Sequence, residues 1–284
     1  MTHALHQRLP ANTPGRDYIV GDLHGCLDLF QETLDHVGFN PDNDRVFSVG
    51  DLADRGPSSL KCLRLLNEPW FHAVCGNHEQ MLIDCAFPIV MPYASDDSAD
   101  RFFLNGGHWV KSLNSKENAE LWNELIPRVA KLPYVITVGN GDTLFHVAHA
   151  ELMTGSPEVS SATLRRIATE GTTPDDRILT DDELTEEVLA GMTDALIWGR
   201  RVLRASKPER ASAMETALGP LLVSRRPWHP GLSLTYVGHT VVKKMRLHAS
   251  HLFIDQGAFL RTPDSDLLML CHDEVHTTLS GLKP

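Results

Sequence analysis

Three short clusters bring together residue types that bind metals and phosphate. They are Gly21-Asp22-Leu23-His24-Gly25, Gly50-Asp51-Leu52-Ala53-Asp54-Arg55-Gly56 and Gly76-Asn77-His78-Glu79. Two further histidines lie downstream, His149 after the apolar run Leu144–Ala148 and His239 after Tyr236-Val237-Gly238. Mixed Asp, Asn and His is an oxygen and nitrogen donor set. It suits manganese, iron, zinc or cobalt better than calcium, which takes oxygens only. Six such donors exceed one tetrahedral site; with one carboxylate shared, they suit two ions. A pair of ions lowers the pKa of a shared water and clamps the oxygens of an in-line displacement. Phosphate ester hydrolysis also needs cations on the non-bridging oxygens and an acid for the leaving group. Arg55 offers a planar fork that matches phosphate. His78, beside a metal donor, is placed to protonate a leaving alkoxide, and Asp54 to orient it and stabilise its charged form. The glycines let the backbone turn sharply so that each following donor points inward.

These side chains need elements to aim them. Tyr18-Ile19-Val20, Val46–Val49 and Phe71–Val74 are short apolar runs that read as buried strands. Between them, residues 26–37 and 58–67 carry apolar residues at helical spacing, and a third helix starts at His78. Strand–helix–strand–helix–strand with short connections predicts a parallel α/β unit. Chemistry in such sheets gathers at the carboxyl ends of the strands, where all three clusters fall. The pattern further predicts helices over roughly 97–128, strands at 134–138 and 143–148, and short helices and loops in the acidic stretch 155–193. A helix is expected at 209–218, and closing strands at 234–237, 251–255 and 267–270. Residues 1–16 carry Pro10, Pro14 and Gly15 without apolar periodicity and read as a flexible arm.

Composition narrows the function classes. The chain has 284 residues and a formal charge of −11, poorly suited to tracking a nucleic-acid backbone. No apolar run reaches membrane-spanning length, and the N-terminus has no secretory pattern. The five cysteines are odd in number with no C-x-x-C pair, which argues against disulfides and Cys-zinc sites and favours a reducing cytoplasm. Of the 15 histidines, only a few follow a glycine-bracketed strand end.

Together the motifs G-D-x-H-G, G-D-x-x-D-R-G, G-N-H-E, a later His-Ala and a later Gly-His resemble the metallophosphoesterase superfamily, and within it the phosphoprotein phosphatases of bacterial and bacteriophage lambda type. Leu104-Asn105-Gly106-Gly107 and Ile197-Trp198-Gly199-Arg200 are similar to that type as well. The resemblance is close over roughly 17–150 and looser over 194–270. It implies a calcineurin-like α/β fold, two packed mixed β-sheets flanked by helices in four α-β-β-α layers. It implies one catalytic domain over 17–284, with extra material at about 155–193 and 203–230 whose role is open. It further implies two divalent ions, with manganese first and iron, zinc, nickel or cobalt as alternatives. Asp22 and His24 match ligands of the first ion, Asp51 the bridging carboxylate, and Asn77, His149 and His239 ligands of the second. His78 matches the general acid with Asp54 as its partner, and Arg55 and Arg200 the phosphate-binding arginines, with Asn77 also facing substrate. The implied reaction is hydrolysis of phosphoserine and phosphothreonine, with phosphotyrosine within reach, by direct attack of a metal-bridging hydroxide. The implied partner is a phosphoprotein or phosphopeptide, with no nucleic acid and no membrane.

Several positions carry a competing structural reading. His146 lies three residues from His149 and on the opposite face of a strand; the strand-end position favours His149. Arg201 stands beside Arg200, and Trp-x-Arg spacing favours Arg200. His108 reads as structural, and His248, His272 and His276 as solvated. Two other functions remain: a dinucleoside polyphosphate hydrolase, which has nearly the same three motifs, and a module that binds phosphorylated partners without turnover. The second has no use for a leaving-group acid.

Overall fold

The computed structural model describes residues 4–90, 97–155, 177–206 and 211–282. Two sheets form the centre. Four strands, β2 (Asp17–Val20), β3 (Arg45–Ser48), β4 (Phe71–Ala73) and β12 (Met269–Cys271), make one sheet in the order β12-β2-β3-β4. The neighbours β2, β3 and β4 run parallel, linked by helices α1 (Leu27–His36) and α2 (Ser59–Arg64), as the run pattern predicts. The other sheet has eight strands: β1 (His6–Leu9), β5 (Val135–Val138), β6 (Phe145–Ala148), β7 (Ser212–Thr216), β8 (Gly219–Val223), β9 (Leu234–Val237), β10 (Met245–His248) and β11 (His251–Phe253). Their order is β1-β5-β6-β9-β11-β10-β8-β7.

Strand alternation builds the layers. Ile19 and Phe47 of the smaller sheet, with Val74 just past β4, pack with Ile136, Phe145, Val147 and Tyr236 of the larger, and the Phe47 and Phe145 rings meet edge to face at 5.9 Å. On the smaller sheet's outer face, Tyr18, Val20 and Val46 pack with Phe30, Leu63, Met81 and Leu125 of the surrounding helices. On the larger sheet's outer face, Val135, Ala148, Val237 and Phe253 pack with Leu189, Leu196 and Val202. These are the four α-β-β-α layers the family resemblance implied. Among the described residues, no helix is long and apolar enough to cross a membrane.

Three sequence expectations need correction. Within the supposed flexible arm 1–16, His6–Leu9 form β1, parallel to β5. Polar residues hold this strand. His6 Nε2 meets Thr137 Oγ1 at 2.7 Å, Thr137 Oγ1 meets His146 Nδ1 at 2.8 Å, and His146 Nε2 meets Asp181 Oδ1 at 2.9 Å. Apolar periodicity misses a strand held in this way. Secondly, 209–218 forms no helix in its described part, because β7 and β8 make an antiparallel hairpin there that pairs onto β10. Leu221 and Val223 bury themselves in the inter-sheet core, so tertiary pairing overrides the helix-favouring Ala and Met of the segment. Thirdly, His272 is buried, stacked on Phe145 at 4.0 Å. Of the expected extra material, 156–176 and 207–210 lie outside the described residues; the described 177–206 contains the short helices Glu186–Ala190, Thr193–Trp198 and Arg201–Ala205.

Candidate dimetal centre

Asp22 and His24 follow β2, Asp51 follows β3, Asn77 and His78 open the helix after β4, His149 follows β6 and His239 follows β9. Neighbouring strand ends therefore deliver the expected donors to one place. The loops are conformationally unusual. His24, Asp51, Asp54, Arg55 and His239 all have positive φ, between 41° and 72°. Non-glycine residues adopt this region rarely and at a cost of order 1–3 kcal/mol each, which the packed sheets must offset. The glycines serve space as much as turning. A Cβ at Gly76 would lie 2.3 Å from Asp51 Oδ1, and one at Gly238 would lie 1.9 Å from Asp22 Oδ1.

Two triads of ligand-type atoms each lie within 4.8 Å of one another: His24, Asp51 and His78, and Asp51, His149 and His239. Asp51 belongs to both, as a bridging carboxylate must. His149 Nδ1 is 2.7 Å from the Val49 carbonyl and His24 Nδ1 is 3.0 Å from that of Ala53. A carbonyl can only accept, so each Nδ1 carries the proton and each Nε2 keeps its lone pair. Burial holds His24 down to about 3 and pushes His149 below the ordinary histidine value, so both stay neutral. His149 Nε2 then faces Asn77 Oδ1 at 2.9 Å and Asp51 Oδ1 at 3.4 Å, and His239 Nδ1 faces Asn77 Oδ1 at 2.8 Å. Asp22, buried, is pushed well above the carboxylate range by burial and by Asp255 and Asp51; it accepts the His239 N–H at 3.0 Å. Lone pairs and crowded carboxylates converging in one largely buried cluster fit a divalent cation pair. Asp22 is not part of either triad, whereas His78 is.

His78 is also engaged through its other ring nitrogen. Its Nδ1 is 2.6 Å from Asp54 Oδ2. Burial lowers its pKa, but Asp51 and Asp54 outweigh that and hold it above the usual histidine value. Asp54 is fully buried. Its other oxygen accepts the Trp109 indole N–H at 2.7 Å, and its backbone N–H donates to Ser59 Oγ at 2.9 Å. The Arg55 fork reaches His24 Nε2 at 2.8 Å and His78 Nε2 at 2.9 Å, with its face 4.5 Å from the centre of the Phe259 ring. Arg200 is half-buried and donates from Nε to Thr240 Oγ1 at 3.1 Å, one residue past His239. Arg201, by contrast, is buried against Glu151 at 2.9 Å, and His146 is taken up by Thr137 and Asp181.

Trp109, Glu79 and Phe259 also meet these residues, outside the set the motifs point to. Glu79 had a visible signal, standing in the third cluster. Its carboxylate accepts N–H groups of Asp51 (2.7 Å), Leu52 (2.8 Å) and Gly76 (3.0 Å), fastening the second cluster to the third. Burial and the nearby Asp51 push it up to about 7. Trp109 and Phe259 carry no such signal, since only folding brings them to Asp54 and Arg55. Trp109→Phe keeps the ring and removes one donor from a buried carboxylate. A kcat lower by about tenfold, with metal content unchanged, is the expected result in steady-state kinetics on metal-saturated protein. Parent kcat in that variant would remove Trp109 from the acid's support.

Residues 17–242 match the family model described as calcineurin-like phosphoesterase. The chain is 28% identical over 242 residues to Serine/threonine-protein phosphatase 2 of Salmonella typhimurium, covering 85% of this chain and 87% of that protein. It is 37% identical over 147 residues to Serine/threonine-protein phosphatase 1 of the same organism, covering 52% of this chain and 64% of the relative. A shorter stretch of 71 residues is 51% identical to the symmetrical Bis(5'-nucleosyl)-tetraphosphatase of Pseudomonas syringae pv. syringae, covering 24% of each.

Proposed function

The chain belongs to the calcineurin-like phosphoesterase family, and from that premise we propose that it is a metal-dependent phosphoprotein phosphatase acting on phosphoserine and phosphothreonine, with phosphotyrosine within reach. The observation that carries this reading is the pair of ligand triads sharing Asp51, set beside the His78–Asp54 dyad and the Arg55 fork. The two Salmonella protein phosphatases support the substrate class.

In this reading Asp22, His24 and Asp51 would hold one ion, and Asp51, Asn77, His149 and His239 would hold the other. Bound divalent ions, manganese first among those the donor set suits, supply Lewis-acid stabilisation of the phosphoryl oxygens and acidify water. The protein does the rest. Arg55 and Arg200 clamp the anion from two sides, and the Arg55 donors move from the two histidine Nε2 atoms to phosphate oxygens. Once the Arg55 donors have left it, His78 Nε2 can carry a proton, which it gives to the leaving seryl or threonyl oxygen. Asp54 holds Nδ1–H and stabilises the charged ring before transfer. Intact acid machinery disfavours a module that only binds. The cysteines of the described residues are all free, in keeping with a reducing cytoplasm as the site of action.

The tetraphosphatase relative keeps a second reading open, hydrolysis of a phosphoanhydride in a dinucleoside polyphosphate. One comparison separates them. The protein is stripped with chelator and reloaded with Mn²⁺. Hydrolysis of phosphopeptides, p-nitrophenyl phosphate and diadenosine tetraphosphate is then measured. Metal-dependent turnover favouring phosphopeptides is expected. Preference for the dinucleotide by orders of magnitude would transfer the assignment to the second reading, and no turnover of any substrate with metal bound would end both.

A further inference from the structure

Glu151 and Arg201 have no part in the chemistry above, yet both are almost completely buried, at 0% and 4% exposure. Burying two charges costs several kcal/mol per ion unless each is fully satisfied, so the pair is weak evidence for stability and invites another explanation. Its connections suggest one. Glu151 lies two residues past His149, and Arg201 one residue past Arg200. The Glu151 carboxylate accepts Arg201 Nε at 2.9 Å on one oxygen and the Val202 backbone N–H at 2.8 Å on the other. Arg201 Nη2 also reaches the Met153 carbonyl at 3.2 Å and that of Gly155 at 3.5 Å. The backbone between them is equally tight. Ala150 N–H donates to the Leu196 carbonyl at 2.9 Å, and a Cβ at Gly199 would stand 2.4 Å from Glu151 Cγ and Oε1. Gly199 is thus glycine for close approach, which explains the Trp-Gly-Arg spacing. The Arg200 backbone is caught between Gly199, pressed on Glu151, and Arg201, bonded to it. Its side chain is free to turn toward Thr240.

We propose that the Glu151–Arg201 pair is a positioning device that yokes Arg200 to the strand end carrying His149, setting the anion-binding arginine at a fixed distance from the metal-ligand cluster. This rests on the reading of Arg200 as an anion ligand. The pair touches no substrate in this arrangement. It holds the two loops in register, so that the guanidinium does not have to be ordered when substrate binds.

The test is phosphate binding by the Mn²⁺-loaded full chain, measured by calorimetry with inorganic phosphate as the probe. Glu151→Gln is expected to weaken binding about tenfold, the loss of one charge-assisted hydrogen bond to the anion. Because a broken buried pair can unfold a protein, Glu151→Met/Arg201→Met is the companion, since apolar replacement of a whole buried pair usually preserves folding. It is expected to melt near the parent temperature, keep its metal and still bind phosphate about tenfold more weakly. Combined with Arg200→Ala, the same double change is expected to cause no further loss, because the arginine it positions is gone. A folded Met/Met chain with parent phosphate affinity overturns the proposal, as does a full additional loss in the Arg200→Ala background. Arg200→Ala binding phosphate like the parent also overturns it, by removing the arginine's role. Turnover is no part of this readout, so failure of the phosphatase reading registers separately, in the substrate comparison.

Discussion

Replacing His78 by Asn is expected to leave bound metal in place and lower kcat for phosphoserine peptides on the order of 10²–10⁴-fold, the usual contribution of a positioned general acid. The effect should depend on the leaving group. Seryl alkoxide is strongly basic and cannot depart without a proton, whereas p-nitrophenolate is stable as an anion. The same substitution should therefore cost much less with p-nitrophenyl phosphate, and the ratio of the two losses is the diagnostic quantity. The parent should also lose activity as pH rises and His78 gives up its proton. The variant should lack this limb. Metal analysis decides the rival role. His78 sits in one ligand triad with His24 and Asp51. If His78→Asn loses an ion, or loses both substrates equally, His78 is a ligand and its assignment as acid is wrong.

Asp51→Asn should have the opposite signature: metal and activity disappear together. Asp51 is the one residue common to both triads, with its oxygens 3.5 Å from His24 Nε2 and 3.4 Å from His149 Nε2. The amide keeps the shape and still accepts the His78 backbone N–H now bonded to Oδ1 at 3.0 Å. It withdraws the negative charge that would lie between two cations. Loss of groups that merely orient metal ligands typically costs 10–100-fold in affinity or activity, so loss of the shared ligand should cost more, on the order of 10³-fold in kcat/KM. Elemental analysis after Mn²⁺ loading and desalting measures the metal. Melting with and without Mn²⁺ gives a second readout, since an ion bound only by the folded chain raises the melting temperature. The variant should lack that rise. Two ions per chain retained at near-parent turnover would show that Asp51 does not bridge.

Much of the centre could be read from the chain because its donors are local. Asp22 and His24, or Asp51, Asp54 and Arg55, lie within a few residues at the end of one apolar run, and glycine marks the turn. Parallel β2, β3 and β4 then make the run ends neighbours. The two distant histidines were legible for the same reason, each closing an apolar strand.

Other features became visible only on folding. The Trp109–Asp54 bond joins residues 55 apart and the Glu151–Arg201 pair residues 50 apart. Neither belongs to a period or a turn signal, so nothing local predicts either. His6–Leu9 became a strand through buried polar partners, and Ser212–Val223 a hairpin through edge pairing; apolar periodicity reports neither. Arg200 and Arg201 are adjacent cations of the same chemical type; Trp-x-Arg spacing favours the first, and the fold buries the second against Glu151. Donor types, their order along the chain and the strand ends that carry them were therefore determined by the sequence alone, because short apolar runs and glycines act over a few residues. What occupies each oxygen of Asp54, and which arginine is buried against Glu151, were decided by the tertiary structure. Those outcomes depend on partners brought together from distant parts of the chain when the two sheets pack.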